Sequence, residues 1–213
     1  MNPENEELSF SDLRDWAMDI AGPAGQEFEK SELLSLIRAV VAREPESAEA
    51  QFSLGFAIYH LYREAASELV TQALEALRRA QTIDPQDPWA PLYEIYVLWQ
   101  CRNLHACVAA CACLDRSAFR SSKDWAWRAI SVDEIEFAAL VELGFDGERI
   151  ASLADDIVNA AESEQSGMFP FVPGVFLRSL DIAVDHALLT PVAAASFRAR
   201  LSPPSPASGE PTC

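Results

Sequence analysis

The chain has 213 residues, half of them hydrophobic, which suits one large domain or two small ones with a sizeable core. It carries 33 acidic and 16 basic side chains, a net charge of -17. That balance argues against a nucleic-acid or anionic-lipid surface, which needs a basic footprint, and suits solubility or a basic protein partner.

The charge is unevenly placed. Residues 1–50 hold 12 acidic and 4 basic side chains, residues 51–130 hold 8 of each, and residues 131–213 hold 13 and 4. A neutral, aromatic-rich centre therefore separates two acidic ends. The opening MNPENEELSF lacks the basic start and apolar run of a signal segment. No run of about 18 apolar residues is present, so no membrane insertion is expected. Four of the five cysteines crowd between Cys101 and Cys113, unlike a secreted disulfide framework. The expected location is cytoplasmic.

Helical periodicity runs through nearly the whole chain, with no strand pattern or hairpin turn. Ser9-Phe-Ser-Asp12 is a capping-box start for a helix to about Ile20, broken by Gly22, Pro23 and Gly25. A second helix is predicted from Glu27 to Arg43, with Leu33, Leu34, Ile37, Val40 and Val41 at helical spacing. Pro45-Glu46-Ser47 ends it and caps the next. Helices then cover about 48–62, 66–83, 88–101 and 104–115. Ser121-x-x-Asp124 and Ser131-x-x-Glu134 read as two more capping boxes, the second opening a helix that Gly144 stops. Asp146 caps a helix to about Ser163. Gly167–Gly174 reads as an apolar loop, Pro173 leads a helix to about Leu189, and Thr190-Pro191 starts a last one. The Pro/Ser-rich tail from Ser202 lacks the composition for a packed structure.

Two junctions look alike, Pro45-Glu-Ser-Ala-Glu-Ala50 and Pro85-Gln-Asp-Pro-Trp-Ala90, and they lie 40 residues apart. That is a helix-pair period. The first unit has a Leu54-Gly55 pair in its first helix, Ala73, Leu77 and Ala80 in a small-large-small pattern in its second, and Asp84-Pro85 at its close. On these residues the stretch Ala48–Pro85 resembles a tetratricopeptide repeat. It departs from the motif at Gln51, where the family has tryptophan, at Ile58, where it has tyrosine, and by about six extra residues around Tyr62–Ser67. The resemblance implies an all-α fold of antiparallel helix pairs. The expected organisation is an N-terminal helical lead (1–25), repeats (26–120), an acidic helical part packed on them (121–201) and the tail (202–213).

In that family the first helix of each unit lines a groove. Carried over by register, the groove residues are Phe52, Phe56, Tyr59 and His60, then Trp89, Leu92, Tyr96 and Trp99. Aromatic side chains supply large contact areas at low entropy cost, which is why they anchor interfaces. Two occupants are open: an apolar segment of a partner, or the chain's own C-terminal helices and the loop Met168–Phe171. A second candidate surface is acidic: Asp133, Glu134, Glu136, Glu142, Asp155 and Asp156 could dock an Arg/Lys-rich partner.

Cys101, Cys107, Cys111 and Cys113 lie within helix and lack the C-x2-C pairs of a structural metal site. Cys107 and Cys111 share a helix face and are expected in the core. His60, His105 and His186 share no motif, and no nucleophile-elbow, zincin or phosphate-loop pattern occurs. No cofactor, metal or catalytic residue is expected. The sequence thus points to a non-enzymatic protein-binding module that masks a partner, of toxin-immunity type. The alternatives are a tetratricopeptide-type secretion chaperone, an oligomeric scaffold, or an all-α enzyme using carboxylates.

Overall fold

A computed structural model describes residues 9–21, 27–62, 67–122, 124–164 and 173–201. Every element among them is helical. The chain falls into two compact units that divide between Asp115 and Arg116.

The first unit contains α1 (Phe10–Asp19), α2 (Glu27–Arg43), α3 (Ala48–Leu61), α4 (Ser67–Ile83), α5 (Trp89–Gln100) and α6 (Leu104–Cys113). Ser9 and Asp12 form the expected reciprocal capping box, which also draws the Asp12 carboxyl below its usual value. The Ser47 hydroxyl accepts from the Ala50 amide and starts α3. Helix α3 is the hub of the unit, because α1, α2, α4 and α5 all pack against it. Leu54, Ala57, Ile58 and Leu61 of α3 are buried together with Ala73, Leu77 and Ala80 of α4.

The α3–α4 contact is close for a definite reason. A Cβ added to Gly55 would lie 2.4 Å from Leu77 Cγ and 3.2 Å from the Ala73 carbonyl oxygen. Only a residue without a side chain fits there. Gln51, which stands where a repeat tryptophan would be, is buried and donates to the Pro45 carbonyl oxygen at 3.0 Å. It thereby ties α3 to the turn that precedes it. Helix α1 is fastened to the same hub, with Arg14 donating to Ser53 Oγ at 3.0 Å and to Glu49 at 3.2 Å. It therefore belongs to this unit rather than forming a separate lead.

The second unit contains α7 (Ser117–Arg120), α8 (Ala126–Leu143), α9 (Gly147–Glu164), α10 (Gly174–Asp185) and α11 (Pro191–Leu201). Helix α8 is central: α7, α9 and α10 pack on it, and every residue from Val132 to Val141 is buried. Phe137 meets Phe176 at 4.8 Å between ring centroids, and Phe176 in turn meets Phe197 at 6.2 Å. These rings join α8, α10 and α11 into one core. Gly144 ends α8 in the left-handed conformation, at φ 69°, as the sequence suggests. Asp146 Oδ1 accepts from the Glu148 amide, and Thr190 Oγ1 from the Ala193 amide, which caps α9 and α11.

Two expectations fail here. Helix α8 begins at Ala126, so Ser131 and Glu134 lie inside it and form no capping box. Nor do Ser121 and Asp124 cap it, since no side chain caps α8 at its start. The short α7 has no counterpart in the sequence reading. The loop Met168–Phe171 and the inserted segment after Tyr62 lie outside the described residues. No helix among the described residues is long and apolar enough to cross a membrane.

Candidate partner-binding site

Helix α3 presents Phe52, Phe56, Tyr59 and His60 at successive turns of one face, and all four are half-buried. Their rings do not stand alone. Each contacts Tyr93 of α5: Phe52 at 5.5 Å, Phe56 at 4.9 Å, Tyr59 at 5.5 Å and His60 at 5.7 Å between centroids. Tyr93 is 3% exposed, and its hydroxyl lies 3.2 Å from His60 Nε2. Tyr59 also stacks on Tyr96 at 5.7 Å. Such ring pairs are worth about 0.5–1.5 kcal/mol each beyond the area they bury. Tyr93 and Tyr96 form the floor of the cluster and the α3 rings its outer edge.

At one end the Arg14 guanidinium lies over the Phe52 ring, 5.7 Å from its centroid, while bonded to Glu49. At the α5 end Arg102 sits 5.1 Å from the Trp99 ring centroid. Trp89 and Trp99 are half-buried. Both α3 and α5 thus carry a half-buried ring with an arginine over it.

One register assignment is corrected. Leu92 is 0% exposed and packs in the core, so it cannot face a groove. The α5 residue that the α3 rings meet is Tyr93, which is itself 3% exposed and forms the floor beneath them. Stripes 89/92/96/99 and 89/93/96/100 both satisfy a 3.6-residue period, and sequence spacing alone does not separate them. The signal that could have chosen Tyr93 is its hydroxyl, which needs a polar neighbour when buried, and His60 is one. Tyr96 is also buried, at 7% exposure, and serves the floor rather than the rim.

The acidic surface is corrected more deeply. Asp133, Glu134 and Glu136 are 3%, 4% and 6% exposed. Arg116 bridges Asp133 and Glu136, Arg120 adds a second contact to Asp133 at 3.2 Å, and Arg149 reaches Glu136 at 2.7 Å. Burial nevertheless holds the Asp133 carboxyl above its usual value, against the pull of Arg116 and Arg120. Glu134 accepts backbone N–H bonds from Val175 at 2.9 Å and Phe176 at 3.0 Å. These three carboxyls are internal fastenings of α7, α8, α9 and α10. Asp155 lies 3.6 Å from Arg200, which also binds Glu162. Of the six residues, Asp155 and Asp156 are exposed and Glu142 is half-buried.

No family model, curated protein or solved structure matches this chain. The site must therefore be read from its own chemistry. Cys107 and Cys111 are 0% exposed, as their shared helix face suggests, whereas Cys101 and Cys113 are exposed. Among the described residues no three His, Cys, Asp or Glu side chains gather as a set that could hold a metal ion.

Proposed function

We propose that the chain is a non-enzymatic protein-binding module of tetratricopeptide-like build, and that the α3–α5 aromatic face is where its partner docks. The observation that carries this is the half-buried stripe Phe52, Phe56, Tyr59 and His60 resting on a buried tyrosine floor. Interface anchors are of this kind: large rings, already ordered by their neighbours, that lose little entropy when a partner covers them. The repeat-like build draws support from the 40-residue junction spacing and from Gly55, which seats Leu77.

The net charge of -17 supports a basic partner. Long-range attraction would speed the encounter, and the aromatic face would supply the short-range contact. A protein of this profile masks a basic polypeptide, in the manner of a toxin-immunity protein.

A photo-crosslinking phenylalanine analogue at Phe56 tests the reading in the source cells. The control is the same analogue at Phe28, which is 74% exposed on α2. A polypeptide adduct specific to Phe56 supports the site. No adduct, or the same adducts at both positions, rejects it.

A further inference from the structure

Glu134 sits mid-way along the buried central helix of the second unit, yet its carboxyl serves another helix. Helix α10 starts after Pro173, and no side chain within its own N-terminal segment caps it. The Val175 and Phe176 amides, at the second and third helical positions, would be orphans without an acceptor. Glu134 Oε1, 41 and 42 residues earlier in the chain, accepts from both. It is a helix cap supplied from across the core. Phe176, 0% exposed, is held beside it against Phe137.

The charged groups around this carboxyl are mostly engaged elsewhere. On α8 itself, Asp133 and Glu136 flank it. Arg116 and Arg120, from the α7 side, bind Asp133 and Glu136, and Arg149 from α9 binds Glu136. From α10, Arg178 contributes a favourable charge. A cap that is 4% exposed, with two amide donors and no ion pair among the described residues, is a place where ionisation and packing compete.

We propose that Glu134 is a proton-operated latch on α10. Neutral, it holds the first turn of α10 on α8 through its carbonyl oxygen. Ionised, it draws water, leaves the two amides, and lets that turn open.

Burial pushes the carboxyl up to about 7, against the Phe176 and Val175 amides and Arg178, which pull it down. The docked state therefore keeps a proton that the opened, hydrated carboxyl gives up near its ordinary value of 4.5. Docking is strongest below that value, weakens as pH rises through the window up to about 7, and levels off above it.

Residue-resolved amide hydrogen exchange on the full chain tests the latch, with each rate divided by its intrinsic rate at that pH. Protection of Val175 and Phe176 should fall roughly 10- to 30-fold between about pH 5.5 and pH 8. Protection of Phe137 on α8 should hold. Glu134→Gln keeps the accepting oxygen and cannot ionise, so its profile at Val175 and Phe176 should be flat. Asp133→Asn should keep the wild-type slope. The latch is overturned by wild-type protection that is flat or rises with pH, by a sloping Glu134→Gln profile, or by a slope that vanishes in Asp133→Asn.

Discussion

Leu77 fills the space that a side chain at Gly55 would need: a Cβ on the glycine would lie 2.4 Å from the leucine Cγ. Leu77 is 0% exposed, and the Ala73 carbonyl oxygen stands behind it. A methyl group at residue 55 can be admitted only by moving α3 from α4 or by forcing Leu77 off its rotamer. Gly55→Ala should cost about 1–3 kcal/mol by overpacking, despite the better helix propensity of alanine. Leu77→Ala relieves the clash, so the double variant should lose less than the sum of the two singles. Urea unfolding of the four proteins measures this. Additive losses would show that the two side chains do not share that space.

Two helix ends in the second unit make opposite predictions. Gly144 takes the left-handed conformation as a glycine, at φ 69°. Ala187, after α10, takes it with a side chain, at φ 58°, while the Leu188 amide bonds back to the Ala183 carbonyl. A Cβ in that region costs about 1–2 kcal/mol. Gly144→Ala should therefore destabilise by about 1 kcal/mol, and Ala187→Gly should stabilise by a similar amount. Melting temperatures that move in the same direction would contradict the account.

The buried ion pairs also separate two arginines. The Arg116 side chain is 18% exposed and bridges Asp133 and Glu136, whereas Arg149 is 48% exposed and pairs with Glu136, which Arg116 already holds. Removing a buried partner leaves a desolvated carboxylate. Arg116→Ala should cost about 2–4 kcal/mol, and Arg149→Ala about 1 kcal/mol or less. Equal losses in denaturant unfolding would mean that Arg116 is not the organising cation.

The cysteines divide by burial. Cys101 and Cys113 should react with a thiol reagent in the folded protein, and Cys107 and Cys111 only after unfolding. Mass mapping of labelled peptides reads this directly. Early labelling of Cys107 or Cys111 would place α6 outside the core.

Much of the fold was legible because local chemistry decides it. Ser9 with Asp12, Ser47, Gly144, Asp146 and Thr190 each cap or stop a helix using atoms within three or four residues. The failures are tertiary. Ser131-x-x-Glu134 has the spacing of a capping box, but Glu134 bonds forward to α10, 41 residues away, instead of back to Ser131. Nothing local distinguishes the two. Asp133 and Glu136 read as part of an acidic docking surface because their counter-ions, Arg116 and Arg149, come from other elements. At the candidate site, the α3 residues were placed by the register of the repeat resemblance, while Tyr93 was missed because adjacent residues on α5 satisfy the same period.

The central claim is that the α3 aromatic face holds a partner protein, and partner recovery on affinity capture tests it most directly. Phe56 and Tyr59 are the residues to change, since both are half-buried rim groups, whereas Tyr93 and Tyr96 support the core. Wild type should be compared with Phe56→Ala/Tyr59→Ala at matched helix content, in low and high salt. The account predicts at least a tenfold loss of the partner in the double variant, since truncated anchors each cost about 1–2 kcal/mol or more. Unchanged recovery from a folded double variant would contradict it.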